Sequence, residues 1–103
     1  MEEQSIAMMS DKYYEESLSF WNCAKIVQLS DFRYEYEQLL SSPIIYLFRH
    51  SAELLLKALI IRDGTNLYGS EINDVKFPPH NCILTSMHSL KALYETWQEI
   101  LSC

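Results

Sequence analysis

The sequence has little of what loop-rich, disulfide-built or membrane proteins need. Its 103 residues include only two glycines, three prolines and three cysteines. A β-sandwich or barrel needs turn signals every 8–12 residues or so, and this chain cannot supply them. Cys23, Cys82 and Cys103 form an odd set without paired spacing, which suits free thiols in a reducing compartment. Positive charge is scarce as well. Eight Lys and Arg face fourteen Asp and Glu, for a net charge of −6 and a pI near 4.9. That balance excludes a protein whose main task is indiscriminate binding to phosphate backbones. The longest apolar run, residues 54–61, is interrupted by Lys57 and falls well short of the roughly 20 residues that a bilayer span requires. The opening residues carry two glutamates and no apolar run of signal-peptide type. No internal repeat, Gly-rich phosphate loop, G-x-S-x-G or H-E-x-x-H occurs. The expectation is a cytoplasmic protein with no membrane association, no metal and no cofactor.

What is present is apolar and aromatic. Hydrophobic residues make up 49% of the chain and aromatics 13%, enough for one modest core in one domain. Residues 1–10 read as a flexible arm and residues 11–103 as a single helical domain. From Asp11, Tyr14, Leu18, Trp21, Ala24 and Val27 recur at helical spacing, with Ser10 or Asp11 as cap and Glu15 and Glu16 in the early turns. Phe32, Tyr36, Leu39 and Leu40 suggest a second, shorter helix capped by Ser30 or Asp31. Ser41-Ser42-Pro43 reads as punctuation, with Pro43 opening a third helix. Residues 43–62 are apolar nearly all round, as in a central helix. Gly64 is expected to stop it, and Arg62 suits the negative end of its dipole. Residues 63–84 hold both glycines and two of the prolines and read as a long loop with at most a short helical piece. Met87, Leu90, Leu93, Tyr94, Trp97, Ile100 and Leu101 then form the apolar stripe of a last helix. The expected fold is all-α, with four helices and a long loop before the last.

Charge is distributed unevenly along this framework. Residues 1–42 hold three basic and eight acidic side chains, and residues 63–103 hold two and five. Residues 43–62 carry Arg49, Lys57 and Arg62 against Glu53 alone, so the only cationic segment is the most apolar one. Arg49, His50, Glu53 and Lys57 share one helical face, and Tyr46 precedes them on it. Arg49–Glu53 and Glu53–Lys57 are both four-residue ion-pair spacings. One reading is a solvated face held by weak pairs of about 0.3–0.5 kcal/mol each. The other is a charged groove in which an anion meets Arg49 and Lys57, since an Arg fork suits phosphate.

The segment YLFRHSAELLLKALI, followed after a loop by His88 and the apolar repeat of residues 88–94, resembles the HEPN superfamily. These are small all-α domains named for nucleotide binding in higher eukaryotes and prokaryotes. The likeness covers residues 43–101, while residues 11–40 match only as generic helix. It implies an up-and-down bundle that commonly dimerises through the faces carrying the polar motif. Many HEPN proteins are metal-independent ribonucleases of toxin–antitoxin and antiviral systems, using an Arg, a polar residue and a His separated from the Arg by four to six residues. Arg49 and His50 match the opening of that motif, but Leu54, Leu55 and Leu56 occupy the positions following it. Leucine can act neither as acid nor as base towards a ribose 2′-OH. The resemblance therefore implies a non-catalytic binding module. Its partners would be a nucleotide or RNA at the basic stripe, a nucleotidyltransferase or another protein, or a second copy. The candidate site residues are Tyr46, Arg49, His50, Glu53, Lys57 and His88. A ribonuclease with a displaced His, using Arg49 with His50 or His88, is the first alternative. A purely structural or inhibitory interaction protein is the second.

Two other groupings bear on partners. His80, Cys82 and His88 are close in sequence, but H-x-C-x5-H is not a standard zinc spacing, and three separate roles are expected. Tyr13, Tyr14, Phe20, Trp21, Phe32, Tyr34 and Tyr36 crowd the first part of the chain. Trp21 and one Tyr of each pair are expected in the core. Tyr13, Tyr34 and Phe20 are surplus to it, which points to a surface for a partner, most simply a homodimer.

Overall fold

A computed structural model of the chain describes residues 2–29 and 37–102. The described residues are mostly helical. Helix α1 spans Glu2–Leu29, α2 spans Glu37–Tyr68 and α3 spans Leu90–Leu101. Between α2 and α3 lie a 3-10 turn at Gly69–Asp74, a two-stranded hairpin (β1, Lys76–Phe77; β2, Cys82–Ile83) and a second 3-10 turn at Leu84–Ser86. No helix among the described residues is long and apolar enough to cross a membrane.

Helix α1 starts at Glu2, so the arm expected over residues 1–10 is helical from its second residue. No Pro or Gly interrupts the run to Leu29. Of the expected second helix, residues 30–36 lie outside the described ones, and Leu39 and Leu40 belong to α2. Pro43 therefore opens nothing: it is the seventh residue of α2. An interior proline withholds its N–H from the carbonyl four residues back, at a cost of about 3 kcal/mol. Packing offsets that cost, since Ile44 is buried immediately beyond it.

The α1–α2 seam is built on small side chains. Ser17, Ala24, Ser51 and Ala58 are all buried. Ser51 Oγ donates to the Ser17 carbonyl at 2.7 Å, and Ser10 Oγ donates to the Ala58 carbonyl at 3.0 Å. These contacts run the two helices antiparallel and satisfy hydroxyls that would be costly to bury alone. They also turn α1 relative to the expected apolar face. Tyr13, Phe20 and Val27 are half-buried beside the seam. Tyr14, Leu18 and Trp21 remain 49%, 43% and 46% exposed. Both stripes are apolar, so period alone could not choose between them. The small residues at 17 and 24, which let the backbones approach, decide it.

Gly64 does not end α2, which runs four residues further. A Cβ at Gly64 would come within 2.5 Å of Ile72 Cδ1 and 3.3 Å of Ile100 Cδ1. The glycine is needed for close approach and not for a left-handed cap. Beyond it the expected loop is ordered by three fully buried anchors, Ile72, Phe77 and Leu84. Asn81 takes φ = 54° in the hairpin turn, where its N–H donates to the Phe77 carbonyl at 2.6 Å. These anchors join Ile60, Ile61, Met87, Leu93 and Ile100 in one core cluster.

Helix α3 is capped by Ser89, whose hydroxyl accepts from the Ala92 N–H. Its partners rise in step with α2. His88 reaches Glu53, Trp97 reaches Asp63, and Ile100 lies against Gly64. Helices α2 and α3 therefore run in the same sense, whereas an up-and-down bundle would alternate them. The reason is the intervening segment, which is long enough to return the chain along α2 before α3 begins.

Candidate anion-binding groove

One face of α2 carries Tyr46, Arg49, His50, Glu53 and Lys57, and the segment before α3 adds His88. Tyr46, Arg49, His50, Glu53 and His88 line an open cavity of about 390 Å³. The stripe legible in the sequence is thus a groove closed on one side by His88. Lys57 is the exception. Its side chain is only 5% exposed, beneath the groove, with Nζ 3.7 Å from Glu53 Oε2. It balances a buried charge and does not present itself to a ligand.

Glu53 is the electrostatic hub. Its side chain is 12% exposed, and its carboxylate has His50 Nδ1 at 3.7 Å and Lys57 Nζ at 3.7 Å on Oε2, with His88 Nδ1 at 3.6 Å from Oε1. The expected Arg49–Glu53 pair is not made. Among the described residues Arg49 has no ion pair, and it remains exposed at the groove. The three nitrogens already around Glu53 account for this, because the i−3 histidine and the cross-segment histidine occupy the carboxylate from both sides.

Aromatic rings set the orientation of His50. Phe20 of α1 meets it edge-on, with centroids 4.5 Å apart at 87°, and Tyr46 stacks with it at 5.8 Å and 9°. Tyr13 of α1 packs against the core cluster near enough to feel the charge of Glu53. Burial, together with the negative charges of Glu16 and Glu53, pushes its phenol above the usual tyrosine range. Sequence reasoning did not assign Tyr13 and Phe20 to this site. The signal was their position one residue from the expected apolar face of α1, at spacing that matches Ser17 and Ala24. Trp21, expected in the core, instead lies outside against Phe48, with centroids 4.6 Å apart.

The other sequence candidates are separate. His80 Nε2 lies 2.7 Å from Glu95 Oε2, and Cys82 Sγ donates to the His80 carbonyl at 3.2 Å. The two hairpin residues and His88 thus have different neighbours. Among the described residues no group of three or more His, Cys, Asp or Glu could hold a metal ion. Arg62, expected at a helix end, pairs with the adjacent Asp63 through Nε–Oδ1 at 2.9 Å and Nη2–Oδ2 at 3.2 Å. Trp97 Nε1 also donates to Asp63 Oδ2 at 2.8 Å, linking α2 to α3. The Arg62 hydrogen bond, reinforced by Trp97, holds the Asp63 carboxyl below the usual range against the opposing effect of burial.

Chemically, the groove offers an uncommitted guanidinium, two imidazoles whose Nδ1 atoms face one carboxylate, and an exposed phenol ring. An anion fits beside Arg49, and a planar group fits on the Tyr46 ring. The chain matches no family model, no curated protein and no solved structure.

Proposed function

We propose that this chain is a cytoplasmic, non-catalytic helical binding module of HEPN-like type, whose groove takes a nucleotide. The observation that carries the reading is Arg49, a cation with no internal partner among the described residues, standing beside the stacked Tyr46–His50 rings. Phosphate would sit on the Arg49 fork and the base on the Tyr46 ring. Glu53 holds the imidazoles in place from below. The module would act with a protein partner, a nucleotidyltransferase in the toxin–antitoxin or defence setting that the resemblance implies. Calorimetry with adenosine mono- and triphosphate tests the site. Arg49→Ala is expected to weaken binding about tenfold or more, a loss of at least about 1.4 kcal/mol. Equal affinity in the variant, or no heat with the wild type at millimolar nucleotide, rejects the reading.

A second reading is favoured by one observation: His50 and His88 converge on the same carboxylate in the same cavity. Two imidazoles can share acid and base roles in 2′-OH attack on a phosphodiester. This is the ribonuclease with a displaced His. Labelled RNA incubated in chelator would then yield 2′,3′-cyclic phosphate ends, and His50→Ala or His88→Ala would each abolish them. Intact RNA with the wild type across varied sequences removes this alternative.

A further inference from the structure

The α1–α2 pair has two sides, and among the described residues only one is covered. The hairpin segment and α3 pack on the side carrying Glu53, Ile60 and Gly64. On the opposite side Tyr14, Leu18 and Trp21 of α1 lie along the edge facing Phe48 and Leu55 of α2. The antiparallel seam sets Trp21 level with Phe48 and Tyr14 near the level of Leu55. Leu55 is exposed, as are the three α1 side chains. Single exposed apolar residues need no explanation, but a contiguous two-helix face of this kind does. A helix pair with one apolar face uncovered is half of a layered fold.

Charge on the same stripe identifies what covers it. Asp11, Tyr14, Leu18, Trp21 and Lys25 follow one another at alternating three- and four-residue steps, the spacing of an a/d seam. The stripe is about 21 Å long at 1.5 Å per residue. It begins with an acid and ends with a base, and Glu15 lies next to its acidic end. Asp11, Glu15 and Lys25 are exposed and make no ion pair among the described residues. Such a stripe is complementary to itself when reversed. We propose that this face is the interface of a symmetric homodimer in which two α1–α2 layers stack with their α1 helices antiparallel about Leu18. Lys25 of each protomer then meets the partner's Asp11 and the partner's Glu15, and the twofold axis repeats the contact. The two closest heptad registers both leave Lys25 within reach of one of these acids. The interface is isologous, as closed dimers require. It lies on the side of α2 away from the groove, so the inference stands whatever ligand the groove takes.

The test is sedimentation of the full chain under reductant, which removes thiol cross-links. The wild type is expected to be a dimer at micromolar concentration. Leu18→Glu, at an exposed position that folding does not require, is expected to give a monomer with an unchanged far-UV spectrum. Lys25→Glu is expected to raise the dissociation constant about tenfold by placing like charges together. Adding Asp11→Lys and Glu15→Lys to it is expected to restore the dimer. A wild type that stays monomeric up to about 1 mM, an interaction no stronger than roughly −4 kcal/mol, overturns the proposal. A dimer indifferent to Leu18→Glu overturns it, because another face is then used. A different protein bound to this face of a monomeric wild type also overturns it. Failure of charge reversal to rescue Lys25→Glu overturns the antiparallel arrangement.

Discussion

Glu53→Leu should be the most damaging substitution on α2, and the geometry says why. The mutation removes the carboxylate that, among the described residues, pairs with Lys57, whose side chain is only 5% exposed. Breaking a buried pair from one side leaves an uncompensated charge, at a cost of about 3–5 kcal/mol. In a domain of this size 1 kcal/mol moves the melting temperature by about 4–8 °C, so a loss of roughly 3 kcal/mol lowers it by at least about 12 °C. Lys57→Met should cost less, because Glu53 keeps His50 and His88 as neighbours. The double variant Glu53→Leu/Lys57→Met should be close to the wild type or above it, since a well-packed apolar pair replaces two desolvated ions. Urea unfolding followed by circular dichroism and Trp fluorescence gives the four free energies of the cycle. A Glu53→Leu loss within about 0.5 kcal/mol, the range of ordinary surface substitutions, would refute the hub. So would a double variant whose loss equals the sum of the two single losses.

Gly64→Ala improves helix propensity by about 1 kcal/mol but drives a methyl against Ile72 Cδ1, and overpacking typically costs about 1–3 kcal/mol. A net loss is expected by denaturant titration, and Ile72→Val, which deletes that Cδ1, should recover much of it. The depressed Asp63 carboxyl stabilises the fold above the usual Asp range near pH 4, and that contribution is lost as pH falls through its folded value. Asp63→Asn should therefore flatten the acid limb of the stability profile, and an unchanged limb counts against the Arg62–Asp63–Trp97 link. Tyr13 has the opposite sign. Its raised phenol contributes fully below the usual value near 10 and is lost as pH rises through the folded value, so Tyr13→Phe should hold its stability better in alkali. Ultraviolet titration of the phenol in Glu53→Gln should move its ionisation back down.

Much of the site was legible because it lies on one helix. The steps from Tyr46 through Arg49 and His50 to Glu53 fix a shared face wherever α2 ends, so misplacing the ends did no harm there. Lys57 followed the same arithmetic, yet its burial and the release of Arg49 depend on how the return segment and His88 cover Glu53. Those are contacts between residues 35 apart in the chain, invisible to period. Pro43 and Gly64 misled for a related reason. Punctuation is a local preference, and both residues sit where tertiary packing outweighs it. The apolar anchors Ile72, Phe77 and Leu84 were hidden by the intervening Gly, Pro and Asn, and with them went the parallel sense of α3.

Phe48, Arg49 and His50 are consecutive, yet they serve opposite sides of α2. Phe48 meets Trp21 on the uncovered face, while Arg49 and His50 line the groove. A rotation of this single turn that reseats Phe48 swings the guanidinium and imidazole through the same angle. If the groove takes a nucleotide and the uncovered face self-associates, as proposed above, such a rotation would couple the two equilibria, bound by reciprocity. Whatever factor a nucleotide applies to the dimer constant, dimerisation must apply to the nucleotide constant.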